Sequence, residues 1–187
     1  MTVINIIADR DTYVDQDFPS ANFGNSEELG MGYGWTPPGF GIIFDKRAFL
    51  HFTIPETPIG MVIDYALLYL YVEVAQSSSN NINSLTADWG EYSLNWNNKP
   101  EVIHQADESF RDYSVGWNEV SIIDFVNAWL TNNFHGHPFP NYGISIGRGD
   151  AQPYTTYISS REKAGYKPYI KINYKFPEYI GSSQIID

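Results

Sequence analysis

Hydrophobic and polar positions alternate along most of this chain, in short runs broken by Gly, Pro, Asn and Ser. The clearest run covers residues 64–75, where Leu68, Leu70 and Val72 fall on one side and Leu67, Tyr69, Tyr71 and Glu73 on the other. Successive strand side chains point to opposite faces. Apolarity on both sides therefore predicts a strand buried on both faces, or one whose outer face carries aromatics. Further strands are expected over residues 3–8, 9–14, 29–33, 85–89, 94–96, 141–147, 155–159 and 169–174. Residues 42–44 and 47–53 read as a hairpin turning at Asp45-Lys46, and residues 18–25, 35–41 and 76–83 as loops by composition. One segment changes period. Ile122, Phe125, Val126, Trp129 and Leu130 form a single helical stripe, which predicts a helix over 121–133 opened by Ser121 with Asp124 and ended at Asn132-Asn133. Many short strands with one helix predict an all-β fold, an antiparallel β-sandwich of jelly-roll type. It forms a single domain over residues 1–176, with a polar tail over 177–187.

Composition supports a packed core and narrows the partners. Hydrophobic residues make up 43% of the 187 positions and aromatics 16%, including 14 Tyr and 5 Trp, types that favour strands and half-wet binding surfaces. The formal net charge of −11 comes from 22 acidic and 11 basic residues. A field of that sign, with no run of basic residues, excludes nucleic acid as an expected partner. A uronate polymer is repelled as well unless calcium bridges the carboxylates, so a neutral glycan is the easier sugar. With no cysteine there are neither disulfides nor thiolate metal sites. The longest apolar run, residues 66–72, is too short to span a bilayer, so no membrane insertion is expected. Residues 1–7 lack the features of an export signal. A surface location then implies a signal already removed, or assembly inside the cell, as for a virion component.

A set of short motifs occurs in a definite order. Asp11-Thr12-Tyr13-Val14 leads to Pro19 and Asn22-Phe23-Gly24, then to Arg47-Ala48-Phe49-Leu50-His51-Phe52. Trp89-x-Glu91 and Asn95-Trp96-Asn97-Asn98-Lys99-Pro100 follow, then Gly116-Trp117, Val126-x-x-Trp129 and Asn141-Tyr142-Gly143. Ser159-Ser160-Arg161-Glu162 and Lys167-Pro168-Tyr169 complete the series. In that order the set resembles the DNRLRE domain, also described as carbohydrate-binding module family 96, over roughly residues 8–175. The resemblance implies a non-catalytic β-sandwich module that binds polysaccharide or a cell-surface glycan.

Several groups carry candidate chemistry. Asp9, Asp11, Asp15 and Asp17 share odd positions and would project from one strand face. They read either as a solvated, charge-protected strand edge or as part of a structural calcium site completed by Glu27, Glu28 and the carbonyls of residues 22–25. Trp35, Phe40, Tyr92, Tyr113, Tyr154 and Tyr157, with Trp117, are the loop aromatics that could stack on a sugar ring. Trp89, Trp96 and Trp129 read as core, and a place in the core is the alternative for Trp117. Arg47 and Arg161 read as structural bridges, and His135-Gly136-His137 as a loop without a third metal ligand. No Gly-x-Ser-x-Gly or His-Glu-x-x-His occurs, so no enzyme is expected. The alternative to glycan adhesion is a structural component of an assembled surface, such as a virion decoration or fibre protein. There the loop over 35–40 and the tail would contact other protein subunits.

Overall fold

The computed structural model describes residues 2–35, 43–103, 109–112, 114–149 and 154–177. Among them the chain forms strands β1 (Thr2–Ile7), β2 (Arg10–Asp15), β3 (Glu28–Trp35), β4 (Ile43–His51), β5 (Val62–Val74) and β6 (Ser79–Leu85). These are followed by β7 (Val102–Ile103), β8 (Ser109–Arg111), β9 (Gly116–Ser121), helix α1 (Ile123–Thr131), β10 (Ile144–Gly147), β11 (Thr156–Ser159) and β12 (Tyr169–Lys175). Every pairing is antiparallel, and the strands make an all-β sandwich of two sheets.

In the first sheet β5 pairs with β12, β11 and β9, and β1 flanks β12. In the second, β4 pairs with β2 and β10, and β6 links β10 to β7 and β8. Strand β3 belongs to both sheets. Residues 28–31 pair with β11, and residues 32–35 with β4. The crossing falls at Gly32, whose φ of +151° suits glycine, and a Cβ there would lie 3.0 Å from the Tyr154 carbonyl oxygen.

The inner faces meet in one core. Ala66, Leu68, Leu70 and Val72 of β5 face Leu50 of β4, Ile82 of β6 and Ile144 and Ile146 of β10, all fully buried. Helix α1 packs Phe125, Val126 and Trp129 into that core. A second, smaller cluster lies on the opposite side of β4, where Phe49 and Val14 meet Leu85, Trp89 and Leu94. Residues 86–99 thus roof the outer face of the second sheet.

The structure departs from the sequence pattern in several places. The expected hairpin at Asp45-Lys46 is one continuous strand, β4. Asp45, Arg47 and His51 share the outward parity of Phe49, and Arg47 donates to both Asp45 oxygens at 3.1 and 2.9 Å. The expected loop over 76–83 contains most of β6, whose buried Asn80 and Asn83 disguised it as a loop. Residues 86–89 and 94–96 are not strands but parts of the roof. Strands β7, β8 and β9 were not anticipated. Ser121 does not cap α1, because it ends β9 opposite Leu67, and Ile122 occupies the N-cap with no side-chain bond. Asn132 ends the helix in the left-handed conformation.

Candidate functional site

Among the described residues no long segment roofs the outer face of the first sheet. In β5 the odd positions point outward, and cross-strand register sets their neighbours. Tyr69 lies between Tyr169 of β12 and Glu119 of β9, and Tyr71 lies opposite Trp117. The rings form an unbroken series. Tyr69 stacks on Tyr169 with centroids 4.8 Å apart and planes 3° from parallel. Trp117 meets Tyr169 edge-on at 5.4 Å and Tyr71 at 5.5 Å. Tyr71 in turn packs on Tyr166 at 4.1 Å. Trp117 is 44% exposed and Tyr166 39%. A groove of about 300 Å³ opens beside them, lined by Asn5, Ile7, Trp117, Gly165, Lys167 and Tyr169.

Polar groups border these rings. Tyr69 donates its hydroxyl to Glu119, and that bond, with partial burial, pushes its pKa up to about 12. Burial, with the Glu119 charge, also raises Tyr169. The exposed amide of Asn5 and the ammonium of Lys167 stand at the groove, so aromatic faces and hydrogen-bonding groups adjoin one another.

A different chemistry occupies the junction between the roof and the sheets. Asp11 of β2, Glu91 of the roof and Glu162 after β11 bring carboxylate oxygens within 4.8 Å of one another. Asn22 clamps this end of the roof by donating to the carbonyls of Glu91 and Leu94 at 2.8 and 2.7 Å. Gly24 is required there, since a Cβ would sit 2.4 Å from the Glu91 carbonyl oxygen. The Asp11 amide donates to Glu91 Oε1 at 2.9 Å, and Asp11 Oδ2 accepts from the Arg161 amide at 2.6 Å. The Arg161 guanidinium bonds Glu162 Oε1 at 3.2 Å, lies 3.5 Å from Glu91 Oε1 and reaches the Asp9 carbonyl. Asp11 Oδ1 and Glu162 Oε2 are buried and have no hydrogen-bond partner among the described residues. Burial pushes the Asp11 carboxyl up to about 8, opposed by the Arg161 amide and reinforced by Glu162 and Glu91.

The residues singled out from the sequence are scattered. Asp9 bonds His51 at 2.6 Å and Thr53, Asp15 pairs with Lys46 at 2.9 Å, and Asp17 is exposed in a turn beyond β2. Only Asp11 of that series joins the carboxylate cluster. Glu28 lies 3.6 Å from Lys163, and the Glu27 carbonyl accepts from Ser160, so neither completes a ligand set with the aspartates. Tyr92 is 61% exposed and hydrogen-bonds Glu91. Tyr154 is 60% exposed beside Gly32, and Tyr157 is half-buried on β11 opposite Gly30. Trp35 closes β3, its ring lying outside what is described, and Phe40 and Tyr113 lie outside the described residues altogether. Trp89 and Trp129 are buried, whereas Trp96 is half-buried under Lys99, whose ammonium stands 3.8 Å from the ring centroid. His135 and His137 sit in a turn and are exposed.

The outward residues Tyr69, Tyr71, Tyr166 and Tyr169 were missed as a site. The available signal was the alternation in β5, which left an aromatic outer face as one of its two readings.

Among the described residues no helix is long and apolar enough to cross a membrane. The sequence pattern of carbohydrate-binding module family 96 matches residues 2–174. No curated protein sequence matches the chain.

Proposed function

The chain belongs to carbohydrate-binding module family 96, and from that premise we propose that the open aromatic face of the first sheet is its glycan-binding surface. The observation that carries this reading is the continuous ring series from Tyr69 through Tyr169, Trp117 and Tyr71 to Tyr166. A pyranose presents an apolar C–H face to such rings, and its rim of hydroxyls meets polar groups at the edge. Trp117 and Tyr169 supply the stacking surface, while Asn5, Lys167 and Glu119 bond hydroxyls. The rings keep one another in place by mutual packing, which lowers the ordering cost of binding.

The preferred partner is a neutral polysaccharide, because the −11 net charge disfavours a polyanion. The module holds a chain at a cell or particle surface without acting on it. Each contact is weak, and retention grows when many copies are displayed together.

Affinity gels cast with neutral and with uronic polysaccharides test this reading. The wild-type protein should be retarded by at least one neutral polymer, and Trp117→Ala should migrate as in a blank gel. Free migration of the folded wild-type protein through every neutral polymer, or retardation that Trp117→Ala retains in full, would remove this surface as the binding site.

A further inference from the structure

We propose that Asp11, Glu91 and Glu162 bind a calcium ion that fastens the roof segment to both sheets. The proposal goes beyond glycan binding, since none of the three carboxylates belongs to the aromatic ring series or lines its groove.

The first argument is charge. Three carboxylates converge here, and the guanidinium of Arg161 is the cation bonded among them. Two negative charges are left over, the number a divalent cation neutralises. The second argument is satisfaction of polar atoms. Asp11 is 1% exposed and its Oδ1 has no hydrogen-bond partner, and neither has Oε2 of Glu162. A buried carboxylate oxygen facing other carboxylates, with no donor nearby, is costly unless a proton or a cation sits between them. Other contacts of the cluster are already assigned: the Asp11 amide and the Tyr92 hydroxyl bond Glu91, and Arg161 bonds the rest. The two orphaned oxygens are what remains.

The third argument is size and ligand type. Oxygens that lie opposite one another across a calcium ion at about 2.3–2.6 Å are about 4.6–5.2 Å apart. The ligand atoms of Asp11, Glu91 and Glu162 all lie within 4.8 Å of one another. All are hard oxygens, and with no nitrogen or sulfur among them zinc and copper are poor fits. Magnesium demands near-ideal octahedral geometry, which an irregular set drawn from three separate segments does not offer. Waters complete the calcium shell from the Glu162 side, which is 22% exposed.

The expected consequence is mechanical. Residues 11, 91 and 162 come from β2, the roof and the loop after β11, so one ion links three stretches of chain that backbone pairing leaves separate. A buried shared proton is the competing occupant, and it makes opposite predictions.

Terbium, which occupies calcium sites and emits when a neighbouring aromatic is excited, is the direct probe. Tyr92 bonds Glu91 and so stands ready as the sensitiser. Chelator-treated full-length protein should show saturable terbium emission at one ion per chain, displaced by calcium but not by magnesium. Glu162→Gln should weaken binding by roughly tenfold or more, since affinity follows ligand charge. On the same samples millimolar calcium should raise the melting temperature of the wild type by about 5 °C and leave that of Glu162→Gln unmoved. Absence of saturable emission would overturn the site, as would emission that Glu162→Gln and Asp11→Asn leave unchanged. So would a melting temperature indifferent to calcium but raised by Asp11→Asn, which marks a shared proton. Polysaccharide retardation enters neither readout, so this test can fail while the aromatic face still binds glycan, and the reverse.

Discussion

The two sheets present outer faces of opposite character. On the second sheet, Arg47, Phe49 and His51 point outward and are covered. Trp89 packs edge-on against Phe49 at 5.8 Å, Trp96 lies beneath Lys99 and beside Arg47, and His51 bonds Asp9. On the first sheet the equivalent outward positions carry Tyr69, Tyr71, Tyr169 and Trp117, which pack on one another, on the loop residue Tyr166 and against solvent. Both faces are aromatic. One spends its aromatics on holding a long loop in place, and the other keeps them available. Of the motifs by which the chain resembles the family, Trp89-x-Glu91, Asn95-Trp96-Asn97-Asn98-Lys99-Pro100 and Ser160-Arg161-Glu162 gather on or beside the roofed face, whereas Gly116-Trp117 and Lys167-Pro168-Tyr169 fall on the open one. The first group describes how the sandwich is built, whereas the ligand surface joins Trp117 and Tyr169 of the second group to Tyr69 and Tyr71, which plain strand alternation turns outward.

The contrast is open to direct attack. Trp89→Ala should be the most damaging change: it empties the space beneath the roof and strands the Tyr142 carbonyl that now accepts from Nε1 at 2.9 Å. Chemical denaturation should show a loss of about 3–5 kcal/mol, while any variant that remains folded keeps its glycan retention. Arg161→Ala should follow, at on the order of 3 kcal/mol, because the carboxylates of Glu91 and Glu162 lose the guanidinium that lies between them. Its denaturation midpoint should become more dependent on calcium than that of the wild type. Trp117→Ala inverts the pattern. Its ring is 44% exposed, so stability should change by less than about 1 kcal/mol. Glycan affinity should nevertheless fall by roughly tenfold or more, since removing a stacking ring costs about 1–3 kcal/mol of binding. If Trp89→Ala and Trp117→Ala behaved alike in both assays, the division between the faces would be wrong.

The smallest effect is a titration. Tyr69 is held protonated by its bond to Glu119, with a folded pKa of about 12 against an ordinary value of 10.0. A raised pKa means the folded state keeps its proton longer than the unfolded chain. The contribution to stability is then complete below about pH 10 and disappears as pH climbs toward about 12. Ultraviolet titration of phenolate should show late tyrosine titration that moves to lower pH in Glu119→Ala; an unchanged profile would show that the bond does not form.

Much of the architecture was legible because period-two alternation is local. Leu68, Leu70 and Val72 announced an inner face, and the stripe from Phe125 to Trp129 announced the helix. Polar residues buried for structural reasons hid the rest. Asn80, Asn83 and Ser84 made β6 look like a loop, and Asp45 and Arg47 made one strand look like two. The sites were harder still, because each is assembled from distant segments. Tyr69, Trp117 and Tyr169 meet only through the pairing of β5 with β9 and β12. Asp11, Glu91 and Glu162 converge although up to 151 positions separate them (162 minus 11). The parity argument that grouped Asp9, Asp11, Asp15 and Asp17 assumed one unbroken strand. Strand β2 spans only Arg10–Asp15, so Asp9 and Asp17 fall outside it, one in the bend before and one in the turn after.

The central claim is that the open face binds sugar through Trp117. Its indole N–H resonance, assigned by comparison with Trp117→Phe, can be followed while a retained neutral oligosaccharide is titrated into labelled protein. The account predicts a saturable shift of the Trp117 signal, with the buried Trp89 and Trp129 signals left in place. A saturating titration that moves the Trp89 or Trp96 signal and leaves Trp117 still would contradict it.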